Sequence, residues 1–382
     1  MSEWKCYKLN DISSLSNGIN FDKSAYTSGV KLIGVSDFKN RIHPDYDSLQ
    51  EVDSKVVKSG DYLEKGDIVF VRSNGNKELV GRCMMIDRDI PVTYSGFCIK
   101  LRLKDKKIFD PVFFNYLFKT RQFKKSMTGT AVGANIQNLS QSRLGSCEVN
   151  VPDIETQKKI ATILSRYDSL IENYQKQIKL LEEAAQRLYK EWFVDHHFPG
   201  HENTKIVDGV PEGWEEKSIS EVFDFKYGKI LPTKDFVEDG PIPVYGASKQ
   251  IGRYTKANCF EPKVLIGSRG NAGFVHRTIE DETNNSFIVE PCAKYGYLKL
   301  PFIFESFKVL DFVAICTGAA QPQLTLNSIS SLKYIVPIKD LIVKYCGITT
   351  CYFSKIALAY KQIHLLTEAR DRLLPRLMNG EF

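Results

Sequence analysis

The stretch LSRYDSLIENYQKQIKLLEEAAQRLYKEWF (residues 164–193) has no glycine or proline to end a helix, and the segment YFSKIALAYKQIHLLTEARDRLL (352–374) repeats it. At an offset of 185 residues, nine of thirteen positions are identical between 176–188 and 361–373. Repetition of a segment this long indicates that the chain contains two copies of one structural module. The rest of the sequence is therefore divided according to this repeat.

Apolar residues follow a heptad pattern in both copies, with steps of three and four residues. In the first copy they lie at Ile160, Ile163, Tyr167, Leu170, Tyr174, Ile178, Leu181, Ala185, Leu188 and Trp192. In the second they lie at Tyr352, Ile356, Ala359, Ile363, Leu366, Leu373 and Leu377. Two such seams, separated by a compact domain, predict an intramolecular antiparallel coiled coil. The alternative is that each helix packs on its own body, but a helix of about 37 residues is ~55 Å long, too long for a body to cover.

The repeat extends into the two bodies that precede the helices. The Val-Pro dipeptide at 151–152 matches the one at 336–337, and Trp4 matches Trp214. The runs DIVFVRS, KVLIGS, NSFIVE and KYIVP are typical of short strands, whereas PVFFNYLFKTRQFKKSM is typical of helix. Strands mixed with helices in this way predict bodies of the α+β class.

The predicted domain order follows from these boundaries and from the segment VDHHFPGHENTKIVDGVPEG, which is rich in glycine, proline and polar residues. The segments are body one (1–152), the central helix (153–193), a linker (194–211), body two (212–337) and the distal helix (338–382). The expected fold is α+β, with two α/β bodies separated by two long helices and an internal pseudo-twofold repeat.

Composition limits the possible functions. The chain has 382 residues, 26% of them charged, and its formal net charge of +6 permits a nucleic-acid partner without requiring one. Its nine cysteines form no CxxC pair, which is typical of reduced thiols rather than disulfides or zinc ligands. The sequence has no N-terminal signal pattern, and no continuous apolar run approaches the ~20 residues that span a bilayer. We therefore expect a cytoplasmic protein without a membrane segment.

Motifs that would carry catalysis are missing from the sequence. It contains no Gly-rich Walker loop and no FxGxG or (D/N)PP(Y/F) motif of an adenine methyltransferase. The three histidines of HHFPGH (196–201) have a spacing that can share a metal ion, and Asp45 with Asp53 and Lys55 resembles a magnesium nuclease cluster. Such short patterns also arise by chance in a chain this rich in charge. The sequence predicts a non-catalytic protein that binds no metal or cofactor of its own.

Body one combines cations with a polar loop. Arg121, Lys124 and Lys125 lie on one side of a predicted helix, and the loop TGTAVGANIQNLSQSR (128–143) follows directly. Cations bind phosphates, whereas amides and hydroxyls reach base edges, with Asn and Gln suited to adenine. The candidate DNA-binding residues of body one are Arg72, Ser73, Asn74, Asn76, Arg121, Lys124, Lys125, Thr128, Thr130, Asn135 and Gln137.

Body two has polar loops at matching positions. The loop TGAAQPQLTLNS (317–328) corresponds to the loop of body one, and GSRG (267–270) ends an apolar run as SNG (73–75) does. An arginine beside glycine can approach a groove closely and bond guanine at two atoms. The candidates are Tyr245, Arg253, Tyr254, Ser268, Arg269, Asn271, Thr317, Gln321 and Gln323. In both bodies the alternative is a solvated helix face and plain turns.

Taken together, these motifs resemble the DNA specificity subunit of type I restriction-modification enzymes. The resemblance is carried by the repeated IxLLxEAxxRL helix, by EWFVD (191–195) followed by VPEGW (210–214), and by GSRGNAG (267–273) with TGAAQPQLTL (317–326). It covers the whole chain, with both halves in order.

The resemblance implies two target-recognition domains, each reading one half of a split double-stranded DNA target, held apart by the two helices. Two methyltransferase subunits that bind S-adenosylmethionine are expected to dock on the helices. Restriction subunits that use ATP and magnesium then join this host-defence complex. The chain itself is expected to supply no catalytic residue and no cofactor site. The rival interpretation is a coiled-coil adaptor without DNA specificity, while the missing motifs disfavour a nuclease or a fused methyltransferase.

Overall fold

The computed structural model describes residues 4–38, 41–75, 79–128, 138–228, 231–246, 250–260, 262–318 and 322–381. The chain divides into two compact units. Unit 1 comprises Met1–Glu172 with His364–Phe382, and unit 2 comprises Asn173–Ile363. Each unit therefore holds one body of the repeat together with a segment of each long helix.

The elements of the first half begin with short strands and end with a long helix. The strands are β1 (Lys5–Lys8), β2 (Ser13–Asn17), β3 (Tyr26–Ile33), β4 (Gln50–Val52), β5 (Ile68–Val71), β6 (Cys83–Met85), β7 (Val92–Tyr94), β8 (Cys98–Leu103) and β9 (Glu148–Val151). The helices are α1 (Leu9–Ile12), α2 (Pro111–Leu117), α3 (Arg121–Thr128), α4 (Gln141–Gly145) and the 36-residue α5 (Ile154–Tyr189).

The second half follows the same plan after a two-stranded hairpin. The strands are β10 (Ile206–Val207), β11 (Val210–Pro211), β12 (Glu215–Ser218), β13 (Phe223–Tyr227), β14 (Ile242–Tyr245), β15 (Gln250–Tyr254), β16 (Val264–Ile266), β17 (Val275–Arg277), β18 (Thr283–Asn284), β19 (Phe287–Pro291) and β20 (Lys333–Val336). The helices are α6 (Ile219–Val222), α7 (Leu300–Lys308), α8 (Leu326–Ser330) and the 40-residue α9 (Lys339–Met378).

The two bodies share one sheet topology. A four-stranded sheet has the order β2-β8-β5-β6 in unit 1 and β13-β19-β16-β17 in unit 2. A three-stranded sheet has the order β4-β3-β7 and β15-β14-β18, and in both copies its last pair is parallel. The prediction of α+β bodies arranged as an internal repeat is therefore confirmed.

The first strand of each body pairs with the strand that precedes its long helix. Lys5 of β1 lies opposite Val151 of β9, and Glu215 of β12 lies opposite Val336 of β20. A proline follows Val151 and Val336, and a residue before proline favours extended backbone over helix. The Val-Pro dipeptides of the repeat therefore mark the change from strand to long helix in both copies.

Strand β5 shows why the apolar run in unit 1 forms a central strand. All four of its residues are buried, and β8 and β6 pair with it on either side. Because side chains alternate between the two faces of a strand, Ile68 and Phe70 join one apolar cluster while Val69 and Val71 join another. A strand covered on both faces needs a continuous apolar sequence rather than an alternating one.

The heptad pattern fails over one part of α5. It places Leu170 on the seam, but this side chain is 47% exposed. Leu164, Asp168 and Ile171 are buried instead, one residue later than the apolar pattern indicates. Asp168, a carboxylate that a count of apolar residues omits, is buried here with polar partners.

The predicted linker at 194–211 is partly ordered. It contains the hairpin of β10 and β11, and Phe198 is only 5% exposed. The Phe198 ring packs on Trp214 of the same unit, with ring centroids 5.6 Å apart. The sequence predicts a linker here, and one buried aromatic side chain of this segment packs on the body that follows it.

Helix α9 contains a strongly apolar window. An 18-residue window in it has a mean hydropathy of 1.2, which by length and composition alone would allow a membrane span. The core helix of a soluble protein passes the same test, and 39% of the window is buried within the protein. Ile342, Tyr345 and Ile356 of α9 belong to apolar clusters of unit 2. These contacts account for part of the apolar character of the helix, whereas Val343 and Leu358 are exposed.

Candidate nucleic-acid interface

Two loops meet in unit 1 at the end of β5. Ser73 forms a β-bridge with Asn138, and the Leu139 amide donates a hydrogen bond to the Arg72 carbonyl over 2.8 Å. The segment 72–74 therefore lies beside residues 138–139. Both belong to segments that the sequence singles out, and the structure brings these described residues side by side. We call this arrangement the loop junction.

The same loop junction occurs in unit 2 at the end of β16. Arg269 and Thr317 each form a β-bridge with Gln323, and the Leu324 amide donates to the Ser268 carbonyl over 3.0 Å. Leu324 and Leu139 are separated by the repeat offset of 185 residues. Each half therefore presents the same backbone arrangement with different side chains on it.

A tight turn presents the candidate side chains of unit 2. Gly270 and Gly273 have φ values of +75° and +83°, a region that residues with a Cβ adopt at a cost. The Gly273 amide donates to the Gly267 carbonyl over 2.8 Å and closes the turn. Arg269 and Asn271 on this turn are exposed. Their side chains are available to a ligand, because the turn is held by its own backbone.

Other candidates of unit 2 are already engaged in the fold. The Ser268 hydroxyl donates to the Asn285 carbonyl over 3.1 Å, and Ser268 is only 8% exposed. The Arg253 guanidinium donates to the carbonyls of Gly240 and Pro241, the latter over 3.0 Å. These two side chains hold loops in place. Tyr245 and Tyr254 are half-buried in the three-stranded sheet, and burial raises the pKa of Tyr245.

The cations of α3 border a cleft in unit 1. The cleft has a volume of about 740 Å³, and Arg121 and Lys124 line it while Lys125 is exposed on the same helix. Lys119 lies in its wall and donates to the carbonyls of Cys83 over 2.8 Å and Arg41 over 3.3 Å. Burial lowers the pKa of Lys119. The helix that the sequence assigns to phosphate binding therefore faces a concave and basic surface.

A buried polar cluster lies next to this cleft, and sequence reasoning missed it. Asp168 of α5, 4% exposed, accepts hydrogen bonds from the Tyr116 hydroxyl and from Arg370, each over 2.5 Å. Burial and the Asp168 carboxylate raise the pKa of Tyr116. The signal available in the sequence was a carboxylate on the inner side of a predicted helix with an arginine on the other helix. This polar cluster joins α2, α5 and α9 within unit 1.

A family model for the type I restriction modification DNA specificity domain matches residues 1–183 and 211–345. The two matched ranges correspond to the two copies of the repeat, and together they cover most of the chain. The chain belongs to the type I restriction-modification DNA specificity family. Membership in this family supports the DNA-recognition role and disfavours a coiled-coil adaptor.

Relatives of this specificity chain carry matching names. The MjaIX specificity subunit of a type I restriction enzyme from Methanocaldococcus jannaschii is 26% identical over 296 residues, which covers 70% of this chain and 68% of that protein. The HindI specificity subunit from Haemophilus influenzae is 24% identical, and the alignment covers 100% of both. The crystal structure of a type I S subunit from M. genitalium covers 98% of this chain with a TM-score of 0.62 at 22% identity, which shows a shared fold.

Several candidates of this specificity chain lie outside the residues that the structure describes. They are Asn76, Thr130, Asn135, Gln137 and Gln321. Thr128 ends α3, but its side chain is also outside the description. Their assignment to DNA binding stays a prediction.

The histidine segment of the linker forms contacts of its own. His197 lies 3.4 Å from a Glu191 carboxylate oxygen, and His201 lies 3.5 Å from that of Glu202. Within the described ranges, no group of three or more His, Cys, Asp or Glu side chains has the geometry of a metal site.

Proposed function

We propose that this chain is the DNA-recognition subunit of a type I restriction-modification complex and that each loop junction reads one half of a split target. The observation that carries the proposal is the repetition of the loop junction. Both halves use the same backbone bonds at the ends of β5 and β16, yet the side chains there differ. A scaffold used twice with different side chains suits the reading of two different base sequences.

The long helices are proposed to form an antiparallel coiled coil that separates the two half-sites. Within unit 2, Ile178 of α5 packs with Ile356 and Ala359 of α9. Further along α5, the Tyr345 hydroxyl donates to the Ala185 carbonyl over 3.1 Å. The partner position on α9 falls as the position on α5 rises, which supports an antiparallel arrangement. A helix of 36 residues is ~54 Å long, enough for a spacer.

The helices are also proposed to dock two methyltransferase subunits. Four positions are both identical in the two copies and exposed in both: Lys176, Leu180, Glu183 and Arg187 in α5, and Lys361, Leu365, Glu368 and Arg372 in α9. Steps of four, three and four residues place them on one stripe of each helix. Packing within the protein does not require identity at exposed positions. Two equal stripes suit two copies of one partner.

Chemistry is proposed to reside on the partner subunits. The methyltransferase subunits would bind S-adenosylmethionine, the restriction subunits would use ATP and magnesium, and this chain would direct them to the target in the cytoplasm. Support comes from the sequence, which has no motif for a methyl donor, a nucleotide or a catalytic metal.

Mapping methylated adenines for the complex with its methyltransferase partner tests this function. Arg269→Ala removes an exposed side chain from the unit 2 junction, and Asn138→Ala does the same in unit 1. Each change is expected to relax one half-site only, because loss of a base contact costs about 1–3 kcal/mol. Lys205→Ala, an exposed position in the linker, serves as the control. Methylation by the chain without its partner, or an unchanged target in both junction variants, would refute the proposal.

A further inference from the structure

The positive charge of this chain is concentrated in one half. Residues 1–152 contain 23 Lys and Arg against 17 Asp and Glu, a formal charge of +6. Residues 212–337 contain 14 Lys and Arg against 15 Asp and Glu, a formal charge of −1. The first body therefore carries a charge equal to that of the whole chain. If both bodies held DNA in the same way, both would be expected to have a basic surface.

Part of this excess positive charge lines the concave cleft of unit 1. Arg41, Arg82, Lys119, Arg121, Lys124 and Arg370 line it, together with a single carboxylate, Asp371. Arg41 pairs with Asp45 over 2.9 Å, and Arg370 pairs with Asp168, so these two charges are offset.

Two of the three cations on α3 line the cleft and remain available to a ligand. Arg121 and Lys124 are exposed, and within the described part of the chain neither belongs to a salt bridge. Gly81 and Arg82 also line the cleft, and both bond the last residue of β5: the Gly81 amide donates to the Val71 carbonyl over 2.9 Å, and the Val71 amide donates to the Arg82 carbonyl over 2.8 Å. Val71 directly precedes Arg72 of the loop junction, so the cleft borders the junction. A duplex that touches the unit 1 junction therefore has phosphates within reach of the cleft.

The corresponding segment of unit 2 has different chemistry. Thr128-Gly129 aligns with Thr317-Gly318, so the places of Arg121, Lys124 and Lys125 are taken by residues 310, 313 and 314, which are Leu, Val and Ala. Val313 is 65% exposed, and the nearby Val309 is 58% exposed. An apolar surface cannot neutralise phosphate, although it can contact sugars and thymine methyl groups.

We propose that the two halves hold DNA unequally: the cleft of unit 1 anchors backbone phosphates through Arg121 and Lys124, whereas unit 2 reads its half-site with little phosphate neutralisation. The proposal rests on the proposed function, since it assumes that both junctions touch DNA. It adds that most of the salt dependence contributed by this chain comes from unit 1. An acidic protein segment is the competing occupant, but the position of the cleft beside the loop junction favours DNA.

The experiment measures DNA affinity of the complex with its methyltransferase partner over a series of salt concentrations. Each phosphate contact contributes about 0.9 to the slope of log K against log salt. Arg121→Gln with Lys124→Gln is therefore expected to reduce the slope by about 2. Affinity should fall equally for target and non-target DNA, while the methylated sequence stays the same. Lys234→Gln with Lys256→Gln, two exposed cations of unit 2, is the matched control and should leave the slope unchanged.

The possible results separate this proposal from the function on which it rests. An unchanged slope for the α3 variant, or an equal loss for the unit 2 control, overturns the unequal anchoring while the target sequence remains intact. Loss of binding to the methyltransferase partner in the α3 variant would also overturn the proposal and would assign the cleft to an acidic protein segment. Absence of any sequence preference in the unaltered complex would instead refute the proposed function.

Discussion

Replacing Asp168 with alanine is expected to destabilise unit 1 by about 3–5 kcal/mol, the usual cost of breaking a buried ion pair by removing one partner. The carboxylate is 4% exposed and accepts from Tyr116 and Arg370, each over 2.5 Å. Its loss leaves the buried Tyr116 hydroxyl without that acceptor. It also leaves the Arg370 guanidinium, whose side chain is 16% exposed, with the surface carboxylate of Asp371.

Hydrogen exchange measured at increasing urea concentrations resolves this loss of stability for each unit separately. This resolution is needed because a chain with two units need not unfold in one step. Peptides from α2 and from the first part of α5 should lose protection in Asp168→Ala, while peptides from β16 and β19 of unit 2 should not. Tyr116→Phe removes one hydrogen bond and should cost about 1–2 kcal/mol. The double substitution should cost less than the sum, since both changes act on one cluster.

Asp371→Ala is the matched control, because it removes the other carboxylate bound to Arg370. The Asp371 side chain is 58% exposed, so its loss should cost less than about 1 kcal/mol. If Asp168→Ala costs no more than Asp371→Ala, or if its effect adds fully to that of Tyr116→Phe, the cluster does not hold the three helices together and this reasoning is wrong.

Burial, with a contribution from Glu280, raises the pKa of Glu282 from 4.5 to about 7, so unit 2 should lose up to about 3 kcal/mol of stability as pH rises from 4.5 to 7. Glu282→Gln should remove that loss, as measured by urea midpoints at pH 5 and pH 8. Leu180→Arg and Leu365→Arg should each halve the number of methyltransferase subunits in the complex by native mass spectrometry, without changing DNA targets. Inserting seven residues into each long helix keeps the heptad phase and adds ~10 Å, so maps of methylated sites should show about three more unread base pairs between unchanged half-sites.

Local sequence patterns are sufficient to predict much of the fold. Apolar runs predict β5 and β16 because a strand covered on both faces needs such a run, and the absence of glycine and proline from 164–193 predicts the long helix. The same reasoning selects the loops of the candidate site, because Arg-Gly and Asn-rich segments combine turn geometry with base-reading side chains.

Long-range pairing explains what the pattern missed. The bridge between Ser73 and Asn138 joins residues 65 positions apart, and no local signal indicates it. Asp168 has the sequence surroundings of a solvated helix residue, and its burial is explained only by Tyr116 and Arg370, which the fold places beside it. The sequence predicts that Arg253 contacts a base, but in the fold its guanidinium donates hydrogen bonds to the carbonyls of a neighbouring loop. In each case the partner decides the role of a polar side chain, and the partner is distant in sequence.

The pairing of the first strand of each body with its last strand has a genetic consequence. Lys5 lies opposite Val151, and Glu215 lies opposite Val336. The chain therefore enters each body on one strand and leaves it on the strand paired with it, ~4.8 Å away. A gene segment that encodes one body is therefore a cassette with both ends at one place in the fold. Recombination at the two ends of such a gene segment would exchange the body and leave the helix that follows it unaltered. New target sequences would then arise by exchange of whole cassettes, without any compensating change in the partner subunits.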